Sequence, residues 1–302
     1  MKSSKISITN DFLGSLAGKG VRWCRSEATL VILALLLAPL LWSGCALTGK
    51  TPPPAPPTDE AKNETLAEAM ALATELARSA REVSSLAVRG SFDYSAGNSK
   101  HFFRFELIAQ RPNSFHFTIN DPLGRPAIRI ISDGTRAIAL EYGPAKASVG
   151  ESQSLSLGAF MPTSFSSADF ISLMAGTLIP DPAEAEIAAK DLERTTLRLS
   201  PAGHWAGTAW LLNVSQGELG PKLDGFTAHV GEEQPIVVSY GQFTAQTVED
   251  LEKTVEFPNR LDLSWGRDQK ALVRYEEIRL GFPPPAEIFL TTVPKGFTEV
   301  ES

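Results

Sequence analysis

The sequence predicts a mainly β fold with a few short helices, and three features carry that prediction. Between Phe102 and Leu140, Phe103, Phe105 and Leu107, then Phe115, Phe117 and Ile119, recur at every second position, the spacing that puts side chains on one face of a strand. Ile128 and Ile130, then Ile138 and Leu140, continue the beat after a turn at Asp121-Pro122-Leu123-Gly124. In that turn proline presets φ, aspartate can accept backbone hydrogen bonds and glycine closes the loop. Strand patterns resume beyond Leu197, giving about eleven strands in all.

The chain opens on a basic stretch, with Lys2, Lys5, Lys19, Arg22 and Arg25 against Asp11 and Glu27, followed by an apolar run from Ala28 to Trp42. That run is shorter than the ~20 residues of a bilayer-crossing helix and has the length of a secretory-signal core. It leads into Ser43-Gly44-Cys45, the small-small-cysteine end of a bacterial lipoprotein signal, in which the cysteine becomes lipid-modified and the new N-terminus. An ordinary membrane anchor or an uncleaved signal is the plainer alternative. Residues 1–44 are therefore expected to be signal peptide and Cys45 the lipid attachment. Ala46 in place of aspartate favours the outer membrane, on its periplasmic face. Cys24 would leave with the signal, so no disulfide is expected. Loss of the signal moves the net charge from −7 to −10, a balance ill suited to nucleic acid.

Residues 45–58 hold Thr51-Pro-Pro-Pro-Ala-Pro-Pro-Thr58, too rich in proline for helix or sheet, and read as an extended tether reaching up to roughly 40 Å. Residues 59–302 form the folded domain. Asp59 to Leu86 is a helix candidate with acids in its first turn and Arg78 and Arg81 toward its end. Its stripe is Leu66, Met70, Ala73, Ala77 and Ala80, with Leu76 and Val83 beside it; a solvated alanine-rich stalk is the alternative.

Val88 to Tyr94 reads as the first strand, Ser95 to Ser99 as its turn, and Ala145 to Val149 as a short sixth strand after the two hairpins. Leu155, Leu157, Phe160 and Met161, then Phe170, Leu173 and Met174, have helical spacing and are split by Pro162. Asp181 to Glu193 is acidic, alanine-rich and weakly helical, and reads as a surface insertion. Strands follow at Leu197–Leu199, Ala209–Val214, Phe226–Val230, Pro235–Tyr240, Pro258–Trp265 and Ala271–Leu280, and Phe282–Ser302 ends in an exposed acidic tail.

No catalytic constellation emerges. His101, His116, His204 and His229 are isolated, His116 facing solvent, with no partner at metal-ligand spacing. Glu232-Glu233 and Glu276-Glu277 are neighbours that would point to opposite faces of a strand. No nucleophile elbow, phosphate loop or dinucleotide fingerprint is present, so no enzyme activity, metal or cofactor is expected. The apolar stripe of Phe103, Phe105, Phe115, Phe117, Ile119, Ile128 and Ile130 has two readings. It is either ordinary core, or the wall of a cavity beneath the Leu155–Leu178 helices that would suit an acyl chain. Period alone does not choose. Leu123 is also unexplained, because a leucine at a turn tip leaves roughly 1.5–3 kcal/mol of burial unrealised.

Gly90-Ser-Phe-Asp-Tyr94, Phe102-Phe-Arg-Phe105 and Phe115-His-Phe-Thr-Ile-Asn-Asp-Pro-Leu-Gly124 resemble the first four strands of the LolB-type outer-membrane lipoprotein receptors. Met161-Pro162 and Phe170–Pro180 resemble that family's lid, and Tyr240 with Pro258–Leu263 its later strands. The likeness spans Leu86 to Leu280; Asp181–Gly207 looks inserted and Phe282–Ser302 runs past the usual end. The resemblance implies an incomplete antiparallel half-barrel with short helices as its lid. It implies a monomer that takes lipoprotein acyl chains from a periplasmic carrier of the LolA type and inserts them into the outer membrane. Pro122, Leu123 and Gly124 would form the membrane-facing loop. Phe103, Phe105, Phe115, Phe117, Ile119, Ile128, Ile130, Phe170, Leu173 and Met174 would line the acyl cavity. A non-transporting envelope lipoprotein, structural or sensing a hydrophobic ligand, is the alternative.

Overall fold

The computed structural model describes residues 6–7, 59–152, 155–156, 165–231 and 234–300. The expected signal peptide, Cys45, the tether and the helix around 157–161 lie outside the described residues, apart from Ile6–Ser7, which pairs in parallel with Leu155–Ser156.

One sheet dominates, built from two meanders. The first runs through β1 (Ser85–Ala96), β2 (Ser99–Gln110), β3 (Ser114–Asn120), β4 (Pro126–Asp133), β5 (Arg136–Glu141) and β6 (Lys146–Glu151). The second runs through β7 (Pro182–Lys190), β8 (Arg194–Pro201), β9 (Ala209–Gly217), β10 (Gly220–His229), β11 (Ile236–Val248), β12 (Lys253–Trp265) and β13 (Gln269–Leu280). They join where β13 pairs antiparallel with β1, and β14 (Thr298–Val300) lies parallel to β6. The sheet therefore runs from β14 at one edge to β7 at the other, and these edges do not pair. The result is an open, incomplete barrel of fourteen strands among the described residues, against the eleven expected.

The added strands lie where local composition misleads. The expected weakly helical insertion is β7, whose alanines favour a helix but which pairs with β8 through Ala185↔Leu199 and Ile187↔Leu197. Partner strand and core outweigh a propensity of a few tenths of a kcal/mol per residue. The expected acidic tail is likewise tied into the sheet, as Thr298, Glu299 and Val300 pair with Lys146, Ala147 and Ser148.

Two local features bend the sheet. A Cβ on Gly90 would sit 2.0 Å from the carbonyl oxygen of Arg274, so only glycine lets β13 cross so close to β1. Beside it, a bulge between Tyr275 and Glu277 leaves Glu276 and Glu277 both exposed, correcting the expectation that they face opposite ways. Farther along, β12 pairs with β13 only from Arg260 onward. Pro258, which has no N–H to offer a ladder, sits where β12 has left that neighbour.

Helix α1 (Asp59–Glu82) packs against β7 and β10. Its buried face is Ala69, Ala73, Leu76 and Ala80, with Val83 just beyond, and Leu66 is 47% exposed. The face is thus turned from the expected stripe, and its alanines allow close approach to the alanine-rich β7.

The inner face of the sheet carries the main core. Its phase changes at β5, where Ala137 and Ala139 point inward while Ile138 and Leu140 point outward, correcting the expectation that the beat of Ile128 and Ile130 simply continues. The register decides it, since Ile130 faces Ala139 and Ile131 faces Ile138 across β4 and β5. Ile131, Ile138, Leu140 and Ala147 form a second, outer cluster covered by Val293 and Phe297 of the C-terminal strap.

Candidate functional site

The site is the interior under α2 (Ser167–Met174). This helix begins on a capping box, with Asp169 N–H donating to the Ser166 hydroxyl and Ser166 N–H donating to the Asp169 carboxylate at 2.8 Å. It ends in a Schellman turn: Thr177 N–H reaches Ser172 O, Gly176 N–H reaches Leu173 O, and Gly176 has φ +69°. Between these caps the sequence Asp-Phe-Ile-Ser-Leu-Met buries Phe170, Ile171, Leu173 and Met174.

Phe170 meets Phe115 and Phe117 edge-on, with ring centroids 5.4 and 5.2 Å apart. Phe117 contacts Phe105 at 6.0 Å, and Phe105 contacts Tyr275 at 6.0 Å and Phe92 at 6.2 Å. All ten expected lining residues are buried in one cluster. A cavity of about 40 Å³ remains, and of those ten it touches Phe105, Phe117, Phe170, Leu173 and Met174. Phe103, Phe115, Ile119, Ile128 and Ile130 pack behind that wall as core. The apolar side chains of α2 occupy much of the interior beneath it.

Phe92, Leu261, Leu263, Ala271 and Val273 complete the wall and were not foreseen. Their alternation is visible in the sequence. Their place opposite Phe105 is not, because it depends on β13 pairing with β1, 181 residues apart in the chain at Val273↔Phe92.

The apolar plug is fixed by polar groups at both ends. At its C-terminal end Tyr240 donates its hydroxyl to Leu173 O at 3.2 Å and Tyr275 donates to Met174 O at 2.9 Å. Burial pushes both phenols well above the ordinary value of 10.0, so they stay protonated donors. Arg111 donates to Val83 O at 2.9 Å, to the Ser172 hydroxyl at 2.9 Å and to the Thr177 hydroxyl at 2.6 Å. One guanidinium so ties the segment before β1 to α2 and the turn after it. Burial and then Arg81 lower its pKa, which shows how far it has left water.

At the N-terminal end the buried Asp169 carboxylate accepts from Trp205 Nε1 at 3.2 Å and lies 2.9 Å from His204 Nε2. Ser167 donates to Ser152 O at 2.7 Å, and the Ser152 and Ser132 hydroxyls are 2.6 Å apart.

The loop expected to face a membrane is braced by its own hydrogen bonds. Asp121 accepts from the N–H groups of Leu123 and Arg125, both at 2.9 Å, and Arg125 Nε reaches its other oxygen at 2.8 Å. The Arg125 backbone and then its guanidinium hold the Asp121 carboxyl below its usual range. Leu123 projects from this braced turn with 78% of its surface exposed. In the meander, the turns after β1, β3 and β12 fall at one end of the sheet. Leu263 and Ala271, paired across β12 and β13 beside the last of these, belong to the cavity wall. Cavity and exposed leucine thus share an end.

His116 is on the outer face of the sheet but half-buried, and burial and then Arg129 lower its pKa, correcting the expectation of free exposure. Among the described residues no group of three His, Cys, Asp or Glu side chains could hold a metal ion. No described helix is long and apolar enough to cross a membrane.

No family model matches the chain, and no curated protein matches it. Solved structures do. A DUF1329 family protein from Desulfovibrio piger superposes with a TM-score of 0.52 at 7% identity, covering 75% of this chain and 97% of its own. A domain described as outer membrane lipoprotein-sorting, from Vibrio parahaemolyticus, gives 0.50 at 8% identity over 74% and 97%. A LolA superfamily protein from Nitrosomonas europaea gives 0.49 at 14% over 72% and 97%. The likeness is one of fold.

Proposed function

We propose that this chain is a lipid-anchored, non-enzymatic carrier or receptor of the cell envelope that takes lipoprotein acyl chains beneath α2 and releases them at the outer membrane. The observation that carries the reading is that the apolar cavity lies toward the sheet end from which Leu123 projects. A docked leucine would bring the cavity to the bilayer; its burial is worth ~1.5–3 kcal/mol, too little to anchor the protein, which falls to acyl groups on Cys45. A LolA-type periplasmic carrier is the partner that would supply cargo.

Ligand cavities commonly hold about 300–1,000 Å³, so a cavity of about 40 Å³ is too small for an acyl chain with α2 in this position. Loading would require α2 to lift, with acyl methylenes taking the places of Phe170, Leu173 and Met174. Apolar groups would then replace apolar groups, and the cost would lie mainly in the hydrogen bonds at the two ends of the helix.

The same small volume favours a second reading, a structural or sensing lipoprotein that keeps its core closed. Transfer of a lipoprotein to outer-membrane vesicles separates the two. Leu123→Glu is expected to leave folding and acyl-probe binding intact and to stop transfer. Unimpaired transfer by that variant sinks the first reading, and absence of probe binding by the unaltered chain favours the second.

A further inference from the structure

The outer face of the sheet holds a second cavity, which shares Leu263 and Ala271 with the one under α2 but opens on the other side of the sheet. A trough of about 650 Å³ crosses β2, β1, β13, β12 and β11, lined mostly by residues that alternate with the core side chains, with Tyr94, His101, Leu263 and Ala271 between them. The register sets them in rows running across the strands. In one row Lys100 faces Ser95, which faces Lys270, which faces Ser264. In the next row Phe102, Asp93, Leu272 and Asp262 follow in the same order. Phe102 is 46% exposed and Val237, at the far end, 37%.

The lining carries two carboxylates and two ammonium groups, and each carboxylate is engaged by an arginine from outside the lining. Asp93 is paired with Arg274 at 2.6 Å and Asp262 with Arg260 at 2.7 Å. Lys100 and Lys270 are exposed and have no ion pair among the described residues. An otherwise acidic chain, with a net charge of −7, thus presents two unpaired ammonium groups beside exposed apolar side chains. Two strands apart, the lysines are separated by about 10 Å. An extended polyproline-II segment repeats its face every three residues, about 9 Å. The C-terminal strap lies against β3 and β4 and contributes no residue to the trough.

We propose that this trough binds an extended acidic peptide segment of a partner protein, with carboxylates three residues apart on Lys100 and Lys270 and apolar side chains against Phe102 and Leu272. A concave floor suits a peptide better than a flat bilayer, and the site needs neither the acyl cavity nor Leu123.

The test titrates the full chain at low ionic strength with the peptide Ac-Glu-Pro-Leu-Glu-Pro-Leu-Glu-NH2 and with its lysine-for-glutamate counterpart. The acidic peptide is expected to bind and the basic one not, with affinity falling as salt is added. Lys100→Glu/Lys270→Glu should weaken binding by about tenfold or more while leaving circular dichroism and acyl-probe uptake unchanged, and Phe102→Ser should weaken it about threefold. Equal binding by the double variant, or none by the unaltered chain, overturns the proposal. So does binding of phosphatidylglycerol vesicles in place of the peptide, or a dimer in sedimentation that the double variant abolishes, since these assign the face to a membrane or a second copy.

Discussion

The hydroxyl of Tyr275 donates to the main-chain carbonyl of Met174 at 2.9 Å, and Tyr240 does the same for Leu173 one residue earlier. Helix C-termini leave carbonyls without intrahelical partners, and here two strand-borne phenols supply them inside the core. Tyr240→Phe/Tyr275→Phe should remove the phenol donor from Met174 O and leave Leu173 O with the Gly176 N–H alone, while keeping the rings, at about 1–3 kcal/mol each. The expected readouts are faster amide exchange in α2 and stronger acyl-probe fluorescence than in the unaltered chain.

The same phenols predict an alkaline limit. Both are raised above 10.0 by burial, so their contribution to stability is fully present below that value and is lost as pH rises toward the folded-state values. Thermal unfolding followed between about pH 8 and pH 12 should show a decline that the double phenylalanine variant lacks. Parallel curves for the two proteins would refute the assignment.

Arg111 links the segment before β1 to a part of the chain about ninety residues away, α2 and the turn that follows it. Arg111→Met keeps the aliphatic stem and removes the donors. Charged hydrogen bonds of this kind are worth about 1.5–3 kcal/mol, so the urea midpoint should fall by a clear margin. A midpoint equal to that of the unaltered chain would show that water replaces the guanidinium without loss.

Gly176 combines φ +69° with a site where a Cβ would lie 2.6 Å from Pro258. Gly176→Ala therefore meets both backbone strain and a clash, and about 1–3 kcal/mol of destabilisation is expected from the strain alone. Because the turn sits at the end of α2, the loss should appear in exchange at Leu173 and Met174 before it appears globally.

The strap is the remaining element with a large predicted effect. Truncation after Gly281 removes Phe289, Val293 and Phe297, exposing Ile131, Ile138 and Leu140 of the outer cluster. A loss on the order of 3–5 kcal/mol follows from the apolar surface uncovered. Calorimetry of the truncated chain should show it, together with a rise in apolar-dye fluorescence.

Much of the first meander could be read directly from the residues. Period-two phenylalanines on β2 and β3 name their own buried face, and Asp121-Pro-Leu-Gly124 names its own turn, because the interactions that set them lie within a few residues. The phase change at β5 escaped that reading, since Ile138 and Ala139 alternate equally well in either direction and only pairing with β4 decides which one turns inward. Strand β7 escaped it because alanine and glutamate favour helix until a partner strand and α1 are present.

Sequence by itself determined the class of fold, the apolar character of the interior and the position of an exposed leucine. Those properties reside in single strands and turns, where side-chain period and local hydrogen bonding suffice. Whether the interior is hollow or filled was decided only by tertiary structure. It depends on how far α2 descends between Phe117 and Met174's neighbours on β13, and that depth is set by Tyr240, Tyr275, Arg111 and Asp169, contacts made across tens to more than a hundred residues of chain.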